Sequence, residues 1–213
     1  IYLLIAFSQG AAVGAGVIVA QYLGARDKKS VSDAVHTSLV IAGILGIVLT
    51  IAGIVLSRQL LEWMKTPEEV MEQAVTYFRL YSAGMFFGIV YNMAAGILNA
   101  AGNSKRSLLY LAVASFTNIV LDILFIAILD MGVAGAAIAT DISQAVSCIL
   151  SMAFLMRVKD SYQVSLKKLK IHRRIAGSMI RVGLPTGIQN MVISLSNVLV
   201  QTSVNGFGAA AMA

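Results

Sequence analysis

Long uncharged runs of apolar residues alternate with short charged stretches along the whole chain. The runs are continuous and helix-length, and six spanning segments are expected: Ile1–Leu23, Val35–Leu56, Leu80–Ala100, Leu108–Leu129, Gly132–Met156 and Pro185–Asn205. At about 1.5 Å per residue, each is long enough to cross a hydrocarbon core of about 30 Å. A transmembrane barrel would instead show segments of about ten residues that alternate apolar and polar. The expected fold class is therefore all-α, a polytopic helical membrane protein. Two helices are expected to run past the bilayer, the one ending Arg58-Gln-Leu-Leu-Glu62-Trp63 and the one beginning Pro67-Glu68-Glu69, which leaves Arg79 at the outer interface.

Composition agrees with this pattern, with 58% hydrophobic residues and 12% charged. The charge of +6 has a topological origin, because 13 of the 16 basic residues follow the first, third and fifth segments, from Arg26, Lys28 and Lys29 through Lys105 and Arg106 to the group between Arg157 and Arg181. Those loops are assigned to the cytoplasmic side, which makes the bilayer the expected partner and excludes nucleic acid. Between Val158 and Val182 the basic residues are interleaved with Leu166, Leu169, Ile175 and Met179, the pattern of an amphipathic helix in the inner interface. This gives 1–157 as spanning helices, 158–182 as a cytoplasmic linker, and 183–213 as a further helix with Pro185 in its first turn. The chain starts within an apolar run and without an initiator methionine, so it reads as a piece of a longer protein whose remainder is a partner of this part.

Enzyme chemistry has little support. His36 and His172 lie far apart in the chain, the single Cys148 sits in a spanning segment, and no phosphate-cradling glycine loop is present. No catalytic residue, bound cofactor or ATP-driven step is expected.

The informative residues are polar ones inside the spans. Ser115, Asn118 and Asp122 share one face of the fourth segment, and Thr140, Gln144, Ser147 and Ser151 share one face of the fifth. The turn centres near Met131, so Asp122 and Thr140 both lie about 13 Å from the end of the hairpin and can face each other. A carboxylate at that depth either takes up and releases a proton or small cation, or makes an interhelical hydrogen bond with no transport role. Asp141 is turned about 100° from Thr140 and is either a second titratable group or a contact with a helix partner. Tyr81, Met85, Gly88 and Asn92 form a stripe on the third segment that, with Gln144, is a candidate cavity wall, and Asn99 follows on the same helix. Gly10 and Gly14, and Gly46 and Gly53, mark close helix approaches.

Several stretches together resemble the multidrug and toxic compound extrusion (MATE) family of secondary transporters. They are Gly14-Ala-Gly-Val-Ile-Val-Ala-Gln21-Tyr-Leu-Gly24-Ala-Arg-Asp27, Ala94-Ala-Gly-Ile-Leu-Asn99-Ala-Ala-Gly-Asn103-Ser-Lys105, Asn118-Ile-Val-Leu-Asp122, Gly132-Val-Ala-Gly135-Ala-Ala-Ile-Ala-Thr140 and Gly183-Leu-Pro185. The resemblance implies a twelve-helix transporter of two lobes in the cytoplasmic membrane, exchanging small organic, often cationic, drugs for protons or sodium. This chain would hold the second to sixth helices of the first lobe, the linker and the first helix of the second lobe. The resemblance also implies a proton or cation site at Asn118, Asp122 and Thr140, completed by an aspartate on a first helix that the chain lacks, with a sodium ion at Asp122 as the one metal in question. Ile193 stands where some sodium-coupled members carry a glutamate, and Asp141 stands where an apolar residue is expected. The alternatives are a flippase for lipid-linked saccharides of the same superfamily, which would call for a more basic cavity, and a non-transporting structural membrane subunit.

Overall fold

The computed structural model describes residues 2–64 and 66–206, with their side chains except at 2–4, 7 and 198–206. The elements in order are α1 (Tyr2–Gly24), α2 (Lys28–Trp63), α3 (Glu68–Ala100), α4 (Ser104–Asp122) with a π-helical continuation over Ile123–Ile128, α5 (Gly132–Arg157), a 3-10 turn at Leu166–Lys168, and α6 (Arg173–Gly206). No strand occurs among the described residues, and the protein is an all-helical, multi-pass membrane protein. α2, α3, α4 with its π continuation, and α5 are each long and apolar enough to cross a bilayer. The expected spans Ile1–Leu23 and Pro185–Asn205 include residues outside those described.

Local sequence sets the ends of the helices. Asp27 caps α2, its carboxylate accepting the Ser30 backbone N–H at 3.1 Å and the Ser30 hydroxyl at 2.6 Å. Those bonds, the hydroxyl's first, hold the Asp27 carboxyl below its usual range. Glu68 and Glu69 stand in the first turn of α3, where the helix dipole favours them. With 36 and 33 residues, α2 and α3 are about 50 Å long and overrun the bilayer as expected. Arg58 joins their projecting ends, reaching Glu62 at 3.3 Å and Glu72 at 3.2 Å. Arg79 donates to the Ser57 hydroxyl at 3.0 Å.

Packing is organised around α3, which touches α1, α2, α4 and α5, while α6 lies along α1. One face of α2, from Val31 through Val35, Ala42 and Gly46 to Gly53, is buried, and Ile44, Ile47, Ile51 and Val55 on the other face point outward, as lipid-facing positions do. Met93, Ile97, Leu98 and Leu155 are the largest apolar side chains fully enclosed. Small residues set the closest approaches, since lipid is as apolar as leucine and association relies on close packing. A Cβ at Gly14 would lie 2.6 Å from the Gly183 Cα, and one at Gly10 would overlap Gly187. A Cβ at Gly46 would meet the Phe86 ring at 2.9 Å, and one at Gly53 would overlap Ser82.

The amphipathic linker helix expected over Val158–Val182 is corrected by the structure. Residues 158–172 are irregular apart from the 3-10 turn, and Ile175 and Met179 belong to α6, which buries them in the core. The lysines and arginines are divided between the two segments, and Leu166 and Leu169 are left exposed. Pro185 accordingly lies inside α6 rather than in its first turn, and the Thr186 hydroxyl donates to the Val182 carbonyl at 2.9 Å in the same stretch.

The segment 158–172 is nevertheless fastened. Val164 N–H donates to the Leu155 carbonyl at 2.9 Å, and the Asn103 amide donates to the Tyr162 hydroxyl at 2.7 Å. His36, almost fully buried, accepts the Ser165 backbone N–H at 3.0 Å through Nε2 while its Nδ1 lies 2.6 Å from the Ser32 carbonyl, which fixes the neutral tautomer with the proton on Nδ1. The Thr37 hydroxyl accepts the His172 N–H at 3.2 Å and lies 3.3 Å from the Lys170 carbonyl.

Candidate functional site

Four helices wall one cavity of about 270 Å³. α1 supplies Ser8 and Gln9, α3 supplies Tyr81, Met85 and Asn92, α4 supplies Ser115 and Asn118, and α5 supplies Ser143, Gln144 and Ser147. The polar faces of α4 and α5 thus turn toward the polar stripe of α3, while the rest of α4 is largely exposed. Among the described residues the lining carries amides, hydroxyls and a thioether but no charged side chain. Several of the hydroxyls are tied to their own helix, Ser143 donating to the Thr140 carbonyl at 2.7 Å and Ser147 to the Gln144 carbonyl at 2.9 Å.

Asp122 lies one turn along α4 from Asn118, at the last α-helical residue before the π stretch. It is half-buried and outside the cavity lining, which on α4 ends at Asn118. Its Oδ1 and the Asn118 Nδ2 are both buried and have no hydrogen-bond partner. Thr140 donates to the Ala136 carbonyl at 2.9 Å, and no hydrogen bond links it to Asp122. Leaving a buried polar atom unpaired costs about 1–3 kcal/mol; the Asp122 oxygen is an acceptor that a proton or cation can satisfy, whereas the Asn118 Nδ2 is a donor that calls for an acceptor. Carboxylate, carboxamide and hydroxyl oxygens suit a proton or a hard alkali cation. Among the described residues no cluster of three His, Cys, Asp or Glu side chains forms a softer metal site.

Asp141 faces a helix partner. Its carboxylate packs on Gly84 of α3, where an added Cβ would overlap it, and one turn further Gln144 packs on Gly88 in the same way. Its Oδ1 is also buried and unpartnered.

A second, more open groove of about 520 Å³ runs between α1, α3 and α6, and Gln9, Asn92, Asn99 and Asn190 bring four carboxamides to it. Asn92 lies on both concavities. Sequence reasoning did not single out Ser8, Gln9 or Ser143; the one signal for the first two was a polar pair within an apolar run.

A family model described as MatE matches residues 1–124. The "Probable multidrug resistance protein YpnP" of Bacillus subtilis (strain 168) is 32% identical over 191 residues, covering 90% of this chain and 42% of that protein. A solved outward-facing conformation of a multidrug resistance MATE family transporter of the MOP superfamily is similar with a TM-score of 0.87 and 32% identity, over 97% of this chain and 46% of that one. An inward-facing conformation of such a transporter gives a TM-score of 0.84 and 33% identity, over 91% and 44%. The chain spans about half the length of the relatives it matches.

Proposed function

The chain belongs to the MATE family, and on that premise we propose that it forms most of the first lobe and the start of the second lobe of a twelve-helix secondary antiporter in the cytoplasmic membrane. In this reading 1–157 are first-lobe helices, 158–182 carries the connection, and 183–213 opens the second lobe. The protein exports small organic, often cationic, compounds in exchange for protons or sodium, is not an enzyme and needs no bound cofactor. The remainder of the chain and the bilayer are its partners.

One observation carries the reading: the buried, unpartnered Oδ1 of Asp122, one turn from Asn118, which lines the cavity. A proton or cation arriving at Asp122 satisfies that oxygen and removes an uncompensated charge from a medium of low dielectric. Its departure restores the charge, so occupancy favours one packing of α4 and α5 over another. Asn118 links this change to the cavity, and Thr140 can lend a hydroxyl lone pair. A drug cation in the uncharged cavity feels the same carboxylate one turn away, and the two positive species therefore compete, which is the requirement for exchange. The absence of basic residues among the described lining residues supports a cationic cargo over an anionic lipid-linked saccharide. Alternating access would then follow from rocking of the two lobes.

The test is export of tetraphenylphosphonium from proteoliposomes holding the full-length protein, under imposed proton and sodium gradients. Asp122→Asn keeps size and hydrogen-bonding capacity but cannot titrate, and it is expected to abolish coupled export while expression stays normal. Wild-type rates in that variant under both gradients would remove this mechanism.

A further inference from the structure

On the opposite side of α1 from the amide groove, α1, α2 and α6 enclose an apolar groove of about 370 Å³. Its walls include Ile41, Ile44, Leu45 and Val48 of α2 and Ile180 and Leu184 of α6, with almost no polar surface. Toward the N-terminal end of α6 the groove passes at Ile180 into a shallow basic concavity formed by Arg174, Gly177, Ser178 and Arg181. Arg174, Gly177, Arg181 and Leu184 recur at helical spacing, so one face of α6 changes from basic to apolar away from its N-terminal end. Both guanidiniums are exposed, and neither is ion-paired among the described residues. A side chain at Gly177 would meet nothing within 4 Å, so the space between the two arginines is open.

We infer that this is a binding site for one anionic phospholipid of the inner leaflet, with its acyl chain in the groove and its phosphate between Arg174 and Arg181. Charge complementarity selects this occupant. A purely apolar protein helix would fill the groove but leave two arginines unmatched at its mouth, and a zwitterionic lipid would bring a cation with its phosphate. Guanidinium groups bind phosphate oxygens through paired N–H donors, and basic pockets between spanning helices on the cytoplasmic side take anionic headgroups. The lipid would rest against Gly183, the residue at which α6 approaches α1 through Gly14, and so would brace that helix pair.

The experiment uses the full-length protein in detergent, with phosphatidylglycerol and phosphatidylcholine of matched acyl chains in competition and retained lipid read by native mass spectrometry. Wild-type protein is expected to retain one phosphatidylglycerol preferentially, and Arg174→Gln with Arg181→Gln to lose roughly thirtyfold of that preference. A photo-reactive benzoylphenylalanine in place of Ile180 is expected to yield a phospholipid adduct. Equal retention of the two lipids by wild type, or a preference that survives both glutamines, would overturn the site. So would an adduct between position 180 and the chain's own second lobe, which would assign the groove to protein.

Discussion

Gly14→Ala adds one methyl group where α1 and α6 come closest. The new Cβ would stand 2.6 Å from the Cα and N of Gly183 and from the Met179 carbonyl oxygen. All of these are backbone atoms, so no side chain can swing away. Comfortable carbon contacts begin near about 3.5 Å, and the two helices must therefore separate by roughly 1 Å. Overpacking of this kind costs about 1–3 kcal/mol. Alanine also improves helix propensity over glycine by up to about 1 kcal/mol, which would mask part of the effect. Gly43→Ala supplies the control, because that glycine is inside α2 and a Cβ there meets nothing within 4 Å. Both variants gain the propensity term, so the difference between them isolates the packing cost. In thermal unfolding of the full-length protein in detergent, Gly14→Ala should melt below wild type and Gly43→Ala at or above it. Equal melting temperatures would show that the α1–α6 approach contributes nothing to stability, and the reasoning from close contact would fail.

His36→Ala should cost about 1–3 kcal/mol by leaving the Ser165 N–H unpaired, and limited proteolysis should then cut faster near Lys159. Gly84→Ala should impair transport far more than Gly24→Ala, since the first drives a methyl group into the Asp141 carboxylate and the second meets open space. In a Cys148→Ser background, an impermeant thiol reagent applied outside should label Thr66→Cys and spare Ser104→Cys; the reverse would invert the topology. Asp27→Ala should destabilise the protein near neutral pH and lose its effect in acid. The folded Asp27 carboxyl titrates below its ordinary range, so its contribution is present above the usual carboxylate range and disappears as pH falls through the folded value.

The helical architecture was legible because continuous apolar runs punctuated by basic loops admit few other folds. Gly10, Gly14, Gly46 and Gly53 were legible as contact points for the same reason, small residues at helical spacing having few other uses inside a membrane. The shared wall of Tyr81, Met85, Asn92 and Gln144 could be read from periodicity, which survives burial. Partner identity could not. Nothing local says that Gly84 and Gly88 receive Asp141 and Gln144, because that depends on how α3 rotates against α5. Nor did the run Ile123–Ile128 announce a π-helix, since its apolar residues suit either winding and the tertiary setting decides. The start of α6 was misplaced because a proline at 185 suggested a beginning, whereas the helix continues through it.

The fastened stretch between α5 and α6 has a mechanical consequence. A connection between two lobes is usually pictured as slack rope whose length decides how far they can part. Here the rope is sewn down along most of its course, at Leu155, Asn103, His36 and Thr37, as far as His172. In the proposed two-lobe protein it would therefore travel with the first lobe as baggage, and α6 leaves from a fixed anchorage one residue later. In that arrangement a swing of one half against the other would have no free loop to bend and would fall on α6 itself, where Pro185 removes a backbone hydrogen bond while Gly183 and Gly187 are held against Gly14 and Gly10 of α1.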